Sequence, residues 1–509
     1  MKPFTTVEIS LSIPLPAAAV ILEDRYSPGS LYLVKRARHL KFLGGFYAFP
    51  GGKVDAADNE LASSLDPWDI ALVCAVREMF EETGVLLLRD NQGNSIKSSQ
   101  ELAQIRCDLL EKRLTFAEIL SSQQWTISSA DFYPVGIFTT PSFSPMRFET
   151  RFFLTRIPSG QVPEVYAEEL EEGSWGNPSD HLKKWYAEEI LISPPVLGLL
   201  EKLNQIKPTD WRIIAESGLV NIKEFKLDRV RFASWIEVVS VICPGPSMAQ
   251  TGNVCLLGHA TFYLLDPGAL DPLGEQAIQT AIQSRVDSGD VFLGILLTHH
   301  HPDHIASAKF FANHWRVPVF AHQATAERIL DKVKVNHFLN DGDQLPLGFN
   351  HFTGSNLVLT AFHTPGHAVG HLVFFEERSK TLFAGDLVST STTILISPPE
   401  GHLATYLGSI QRMIKMEPEL LMPYHGCPAE DGKKVLETAL LHREKRESVL
   451  LSCLLQSEFK SIEEIAFEVY RGLPEPLMKL AQKQIYAGLI KLKEEDRVLE
   501  LEQRWKLFK

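Results

Sequence analysis

Paired cysteine spacing is the first thing this chain lacks. Its six cysteines, Cys74, Cys107, Cys243, Cys255, Cys427 and Cys453, are scattered through 509 residues. That argues against a disulfide framework and predicts a reduced, cytoplasmic chain. No window approaches the roughly 20 apolar residues of a membrane-spanning helix, so no membrane partner is expected. Met1-Lys2-Pro3-Phe4 opens onto an alternating strand pattern and not onto the apolar core of a signal peptide. Positive charge is also in deficit, with 50 Lys+Arg against 63 Asp+Glu and a net charge of −13. A protein held to nucleic acid by bulk charge is thereby disfavoured. No internal repeat or low-complexity tract is visible. Histidine is scarce early on: of 17, only His39 and His181 precede His259, so imidazole chemistry belongs to the second half. What remains is an ordinary globular composition, 45% hydrophobic and 22% charged, at a length that suits about three domains.

The densest chemistry lies in Thr298-His299-His300-His301-Pro302-Asp303-His304, directly after the apolar strand pattern Val291–Leu297. Imidazole nitrogen and carboxylate oxygen are the donors of a catalytic zinc site that keeps one position open for water. Ligands so close in sequence divide best between two ions, with His299 and His301 on one and Asp303 and His304 on the other. Three further donors close apolar strands on short glycine-containing turns: His367 in Thr364-Pro365-Gly366-His367, Asp386 in Phe383-Ala384-Gly385-Asp386, and His425 in Met422-Pro423-Tyr424-His425-Gly426.

These motifs resemble those of metallo-β-lactamase-fold hydrolases over roughly residues 236–441. The resemblance implies one metal on His299, His301 and His367, a second on Asp303, His304 and His425, and Asp386 bridging them. Two Zn²⁺ ions about 3.5–4 Å apart lower the pKa of a shared water and polarise the bond under attack, with Asp303 placed to orient the nucleophile. Tyr424 stands where relatives often carry glycine and is expected to narrow the pocket. His300 is expected to point away, and His363 and His371 to support or pack rather than ligate.

The first third carries a different motif, Arg77-Glu78-Met79-Phe80-Glu81-Glu82-Thr83-Gly84-Val85. The pattern predicts a helix from Asp69 to Thr83 with Gly84 as its stop. Glu78 and Glu82 lie one turn apart on one face, Glu81 is adjacent, and Arg77 reaches Glu81 at i, i+4. Clustered carboxylates repel one another unless a divalent cation neutralises them, and hard oxygen donors suit Mg²⁺ or Mn²⁺, which also bind substrate phosphate. Upstream, Ala48-Phe49-Pro50-Gly51-Gly52-Lys53-Val54 is a glycine-rich turn.

Together these resemble the Nudix box of nucleoside-diphosphate-linked hydrolases over roughly residues 12–203. The resemblance implies that Glu78, Glu81 and Glu82 bind metal or activate water and that Arg77 orients them. Asp58 takes the box's early acidic place, but residues 59–76 intervene before Arg77. Such a loop is typical of a subgroup resembling peroxisomal-type coenzyme A diphosphatases. Arg36-Ala37, Lys41, Gly45 and Phe49-Pro50-Gly51-Gly52 keep the spacing of its coenzyme A signature, which makes Arg36, Lys41, Gly51 and Gly52 candidate substrate-binding residues. Lys41 replaces the signature's arginine, and Val34 lacks its hydroxyl. The Phe-rich Arg147–Phe153 reads equally as a binding element or a core strand.

After a mixed polar stretch at 204–235, the metal domain is expected to run to 441. Residues 442–509 read as helices and a hairpin, with a capping box at Ser461-Ile462-Glu463-Glu464 and a break at Pro474. This outline resembles the winged helix of the β-lactamase-like protein 2 group. With 13 Lys+Arg against 12 Asp+Glu, it suits packing better than nucleic-acid recognition. The expected architecture is a multidomain α/β and α+β chain: a Nudix α/β/α sandwich at 1–203, a metallo-β-lactamase αβ/βα sandwich at 236–441, and a winged helix.

The leading functional reading is a bifunctional hydrolase of small molecules. One half cleaves the pyrophosphate of a nucleoside-diphosphate-linked compound such as coenzyme A or its acyl derivatives, and the other a thioester or related ester. An alternative makes the second half a single-strand endoribonuclease with RNA as partner. Another class makes one domain a degenerate binding module.

Overall fold

The computed structural model describes residues 13–40, 43–63, 66–140, 147–216, 229–243, 251–455 and 458–508. The chain forms two compact units, Leu11–Ser234 and one made chiefly of Trp235–Lys509.

The first unit is built on the strand Leu15–Glu23, an unbroken apolar run buried from Ala17 onward. Such continuity belongs to a strand covered on both faces. It pairs in parallel along its length with Phe148–Arg156, from Leu15 opposite Phe148 to Glu23 opposite Arg156. On its other edge, Ala17, Ala18 and Ala19 face Lys53, Gly52 and Gly51 of the antiparallel strand Gly51–Lys53. The alanines leave room that glycine needs: a Cβ on Gly51 would come 2.2 Å from the Ala18 carbonyl oxygen. Phe152 and Phe153 are buried, so the Phe-rich segment is a central core strand.

The helix carrying the acidic motif spans Pro67–Thr83, two residues earlier than the periodicity alone predicts. Asp66 caps it by accepting the Trp68 N–H at 2.7 Å, and Pro67 occupies the first helical position. Gly84 ends it at φ +70°, a left-handed cap that glycine adopts without strain. Its buried face, including Leu72, Val76 and Phe80, joins Val20, Leu22, Val34 and Phe153 in one core. The polar stretch 204–235 contains the helix Trp211–Glu216 and the strand Arg229–Ala233, which pairs next to Ile236–Ile242.

The second unit holds two sheets. In the first, Ile236–Ile242, Thr251–Leu257, Thr261–Leu265, Val291–Leu296, Val319–Ala321 and His337–Phe338 lie side by side in chain order. Thr261–Leu265 and Val291–Leu296 are parallel, so their connection must cross over; the helix Pro272–Asp287 does so, capped by Asp271 through the N–H groups of Leu273 and Gly274. In the second, Gln344–Asn350, Ser355–His363, Leu372–Glu376, Thr381–Gly385, Leu420–Pro423 and Ala429–Glu430 follow in order. There the helix Leu403–Ile414 lies between the parallel strands Thr381–Gly385 and Leu420–Pro423. Each sheet packs helices on one face, while Trp235 and Phe383 meet edge to face at 5.7 Å.

The boundary read at 441/442 falls inside one continuous helix, Gly432–Cys453. Beyond it come Ile462–Val469, Glu475–Glu494 and the hairpin Val498–Leu501/Arg504–Leu507. The capping box is present, with Ser461 and Glu464 exchanging side chain-to-backbone bonds. Leu450, Ile465, Leu489, Val498 and Trp505 form this region's own core. Among the described residues no helix is long and apolar enough to cross a membrane.

Candidate metal centre and acidic site

Every candidate ligand of the second unit sits just beyond the carboxyl end of a strand. His299 and His301 follow Val291–Leu296, and Asp303 and His304 ride the short helix Pro302–Ile305. His367 follows Ser355–His363 through a turn whose Gly366 has φ +131°, where a Cβ would come 2.3 Å from the Tyr406 nitrogen. Asp386 follows Thr381–Gly385, and His425 follows Leu420–Pro423.

The fold brings these seven side chains into two adjoining groups: His299, His301, His367 and Asp386, and Asp303, His304 and His425. His367 Nε2 lies 3.3 Å from His299 Nε2 and 3.0 Å from His301 Nδ1, and the latter two are 3.0 Å apart. A tetrahedral ion with bonds of about 2.0–2.1 Å sets its ligand nitrogens about 3.3 Å apart. Asp386 spans the groups: Oδ2 is 3.4 Å from His367 Nε2, while Oδ1 is 3.5 Å from His304 Nε2 and 3.7 Å from His425 Nε2. Asp303 Oδ2 lies 3.3 Å from His425 Nε2.

The outer partners decide which imidazole nitrogens face inward. His367 Nδ1 donates to the Leu395 carbonyl at 2.9 Å, and His425 Nδ1 to the Thr251 carbonyl at 2.9 Å. His304 Nδ1 donates to Asp266 Oδ2 at 2.8 Å. Thr298 Oγ1 donates to that same Asp266 oxygen at 2.7 Å, leaving its lone pair for His299 Nδ1 at 3.0 Å. Glu400 Oε1 lies 3.6 Å from His301 Nε2 and 2.5 Å from His300 Nε2, which favours the His301 proton on that outer nitrogen. With a cation bound, this arrangement would leave each candidate imidazole's proton outside and its lone pair facing inward. The buried His304 Nε2 and Asp386 Oδ1 have no hydrogen-bond partner. Converging lone pairs, two carboxylates and orphaned buried atoms fit divalent cations. Burial lowers the pKa of His299 well below its ordinary value, aided by the surrounding imidazoles. At His304 burial acts the same way, but Asp266 and Asp386 outweigh it and raise the pKa.

His371 belongs to neither group. Its Nε2 accepts the Asp386 N–H at 3.1 Å, so its Nδ1 donates to Thr364 Oγ1 at 2.8 Å. It is fully buried and positions the turn bearing Asp386. His363 bonds the Val369 carbonyl and stacks on His322 at 4.1 Å. Tyr424 corrects the expectation of a narrowed pocket. It is 3% exposed within the core beneath the first sheet. There it donates its hydroxyl to the Asp303 carbonyl and lays its ring 3.9 Å from that of His304. Gly252 and Gly268 make room for it, since a Cβ on either would lie 2.4 Å from its ring or hydroxyl.

In the first unit Arg77 is the hub. Its Nε and Nη2 donate to the two oxygens of buried Asp58, both at 2.9 Å, and its Nη1 donates to Glu78 at 2.9 Å and Glu81 at 3.0 Å. Glu82 instead accepts the Gly51 N–H at 2.9 Å. Gly52 lies against Glu78, where a Cβ would come 2.4 Å from the carboxyl. Burial, then the charge of Glu78, pushes the Glu82 pKa up to about 8; Arg36 opposes this. Burial also pushes Glu78 up to about 7, with Glu81 adding to the effect against Arg77. Buried acids short of positive charge fit a hard divalent cation, although Glu78, Glu81 and Glu82 do not form a three-ligand cluster as the histidine groups do. Lys41 lies outside the described residues.

Sequence reasoning missed Asp266, Glu400 and Glu169. Asp266 sits in Leu265-Asp266-Pro267-Gly268, just after the strand Thr261–Leu265. Its φ of +49° at a strand end reflects the fold and leaves no trace in the sequence. Glu169 raises the pKa of Glu78, Glu81 and Glu82 from a different part of the chain.

Family comparisons define the class from the same positions. The metallo-beta-lactamase superfamily model matches residues 250–425, the NUDT19 Nudix domain model residues 59–203, and the beta-lactamase associated winged helix domain model residues 461–505. Both catalytic families are hydrolases that typically bind divalent metals. The chain therefore joins a Nudix domain, a metallo-β-lactamase domain and a β-lactamase-associated winged helix, in that order. Among curated relatives, Putative nudix hydrolase 7 of Caenorhabditis elegans is 29% identical over 41% of this chain, which spans 65% of that protein's length. The Beta-lactamase-like protein 2 homolog of Drosophila melanogaster is 27% identical over 50% of this chain and 86% of its own. A solved beta-lactamase domain protein from Burkholderia ambifaria is 19% identical with a TM-score of 0.48, covering 55% of this chain and 93% of its own.

Proposed function

We propose that the chain is a bifunctional metal-dependent hydrolase whose halves act on one class of substrate, acyl-coenzyme A and related nucleoside-diphosphate-linked compounds. The observation that carries the reading is the convergence of five imidazoles and two carboxylates with Asp386 between the two groups. Zn²⁺ held by His299, His301 and His367 and by Asp303, His304 and His425 would supply Lewis acidity and an activated water for attack on a thioester. Asp303, held by His425 and by the Tyr424 bond to its carbonyl, would be placed to orient the attacking water. Asp266 and Thr298 keep the inward lone pairs of His304 and His299 aligned.

In the Nudix half, Mg²⁺ or Mn²⁺ at Glu78, Glu81 and Glu82 would neutralise the diphosphate. Arg77 fixes Glu78 and Glu81, and Gly51 fixes Glu82. Arg36 brings positive charge near Glu82, where substrate phosphate would approach. Gly52 lets the turn lie against Glu78 of the acidic helix, and Gly51 lets it lie against Ala18 and Ala19.

The test is hydrolysis of coenzyme A and acetyl-coenzyme A with Mg²⁺ and Zn²⁺ supplied separately. Glu82→Gln is expected to lose release of 3′,5′-ADP alone, and Asp303→Asn release of thiol alone. Turnover of neither compound by the wild type overturns the substrate assignment. Zn²⁺-dependent cleavage of single-stranded RNA, lost in Asp303→Asn, would replace the thioesterase reading.

A further inference from the structure

The helix Gly432–Cys453 has a charge pattern that the metal chemistry does not use. It borders a cavity of about 430 Å³ shared with the helix Glu475–Glu494 and the end of Ile462–Val469. That volume falls within the range of small-molecule sites. Leu403, Leu450, Val469, Tyr470 and Ile485 give it apolar walls, while His442, Arg443, Lys445, Arg446 and Glu447 line its remaining side.

The charges do not cancel. Glu447, the sole acidic residue of the lining, is already held by Lys491 Nζ and Arg497 Nη1, each at 2.6 Å. Arg443 is buried yet bonded only to neutral oxygens, those of Gln484 at 2.7 Å and of the Ile394 carbonyl, and it lies over the Tyr406 ring. Arg446, half-buried and one turn further along, reaches the Thr393 hydroxyl at 3.3 Å. Among the described residues neither arginine forms an ion pair with a carboxylate. Two guanidinium groups held one turn apart repel one another, and removing them from water is costly unless an anion joins them.

We infer that this cavity is a binding site for an organic phosphate, with Arg443 and Arg446 receiving the phosphate and the apolar walls receiving its carbon body. Two uncompensated cations suit a dianion, and guanidinium donors match phosphate oxygens in paired geometry. The volume exceeds what a bare phosphate fills, and an apolar wall gives a simple ion nothing to bind. The site stands independently of the hydrolytic reading. It also adjoins the loop that serves the metal centre: Arg446 holds Thr393, Arg443 holds Ile394, and Leu395 accepts from His367. A ligand drawing on the two arginines therefore pulls on the segment that orients a metal ligand.

Calorimetric titration of the full chain, stripped of metal to silence the hydrolytic centres, tests this with phenyl phosphate, inorganic phosphate and benzoate. One saturable site for phenyl phosphate is expected, at least tenfold tighter than for either other probe. The affinity should fall at least tenfold in Arg446→Gln and in Val469→Trp, which fills the cavity from the opposite wall. Exposed Lys445→Gln, a residue without a hydrogen bond or ion pair among the described residues, should weaken binding several-fold and supplies the check if either other variant fails to fold. Absence of saturable binding, benzoate binding as tightly as phenyl phosphate, or affinity unchanged in folded Arg446→Gln or Lys445→Gln would overturn the proposal.

Discussion

The hydroxyl of Tyr424 donates to the main-chain carbonyl of Asp303 from within the core, so a buried ring holds the helix that presents two candidate ligands. Tyr424→Phe keeps the ring and removes this bond, together with the 3.7 Å contact of the hydroxyl with Cys243 Sγ. We expect a stability loss of about 1 kcal/mol and a larger proportional loss of the metal-dependent activity of this unit, with the Nudix activity unchanged. Urea denaturation and separate assays of the two activities check this.

Asp266 is the common acceptor behind His304 and Thr298 and also takes the Thr298 N–H at 2.7 Å. Asp266→Asn keeps the shape but offers an amide where two donors point. Loss of such an outer partner typically weakens metal affinity by roughly 10–100-fold. Competition with a chromophoric chelator measures it, and retention of wild-type affinity would refute the positioning role.

Arg77 is 7% exposed and bound to Asp58, Glu78 and Glu81 together. Arg77→Gln leaves Asp58 buried and unpaired, and a loss of about 3–5 kcal/mol is expected. Arg77→Lys should recover only part, because an ammonium cannot give Asp58 two parallel bonds while also reaching the two glutamates. Chemical denaturation of both variants decides this.

The pH response of the metal-free Nudix unit follows from Glu78 and Glu82, pushed up to about 7 and about 8 by burial and neighbouring carboxylates. Their folded pKa values lie above the ordinary 4.5, so the folded state keeps protons that the unfolded chain releases. Their contribution to stability is complete below about pH 4 and is lost as pH rises through 7 and 8. The melting temperature of metal-free protein should fall across that window, and added Mg²⁺ should restore it most at the alkaline end. A flat profile at every Mg²⁺ concentration would contradict the acidic site.

Much of this organisation is legible in the chain because it is local. The apolar run that leads into His299, the Ser461 capping box and the glycine after Thr83 are each written within a few residues. Asp66-Pro67 was equally local, and the helix begins two residues before the periodicity indicates because a cap and a proline set its start. Long-range partners were not legible. Asp266 lies 38 residues from His304, Glu400 99 residues from His301, and Tyr424 121 residues from the carbonyl it holds.

The sequence by itself therefore determined the kinds of donor, the strands and helices that carry them, and the order of the domains. Those properties follow from side-chain chemistry and from periodicities of two and 3.6 residues. Only the tertiary structure decided which imidazole nitrogen faces inward and that Tyr424 supports the site from below. Such facts depend on distances between segments that meet only when their apolar faces are buried, and a one-dimensional pattern holds no record of them.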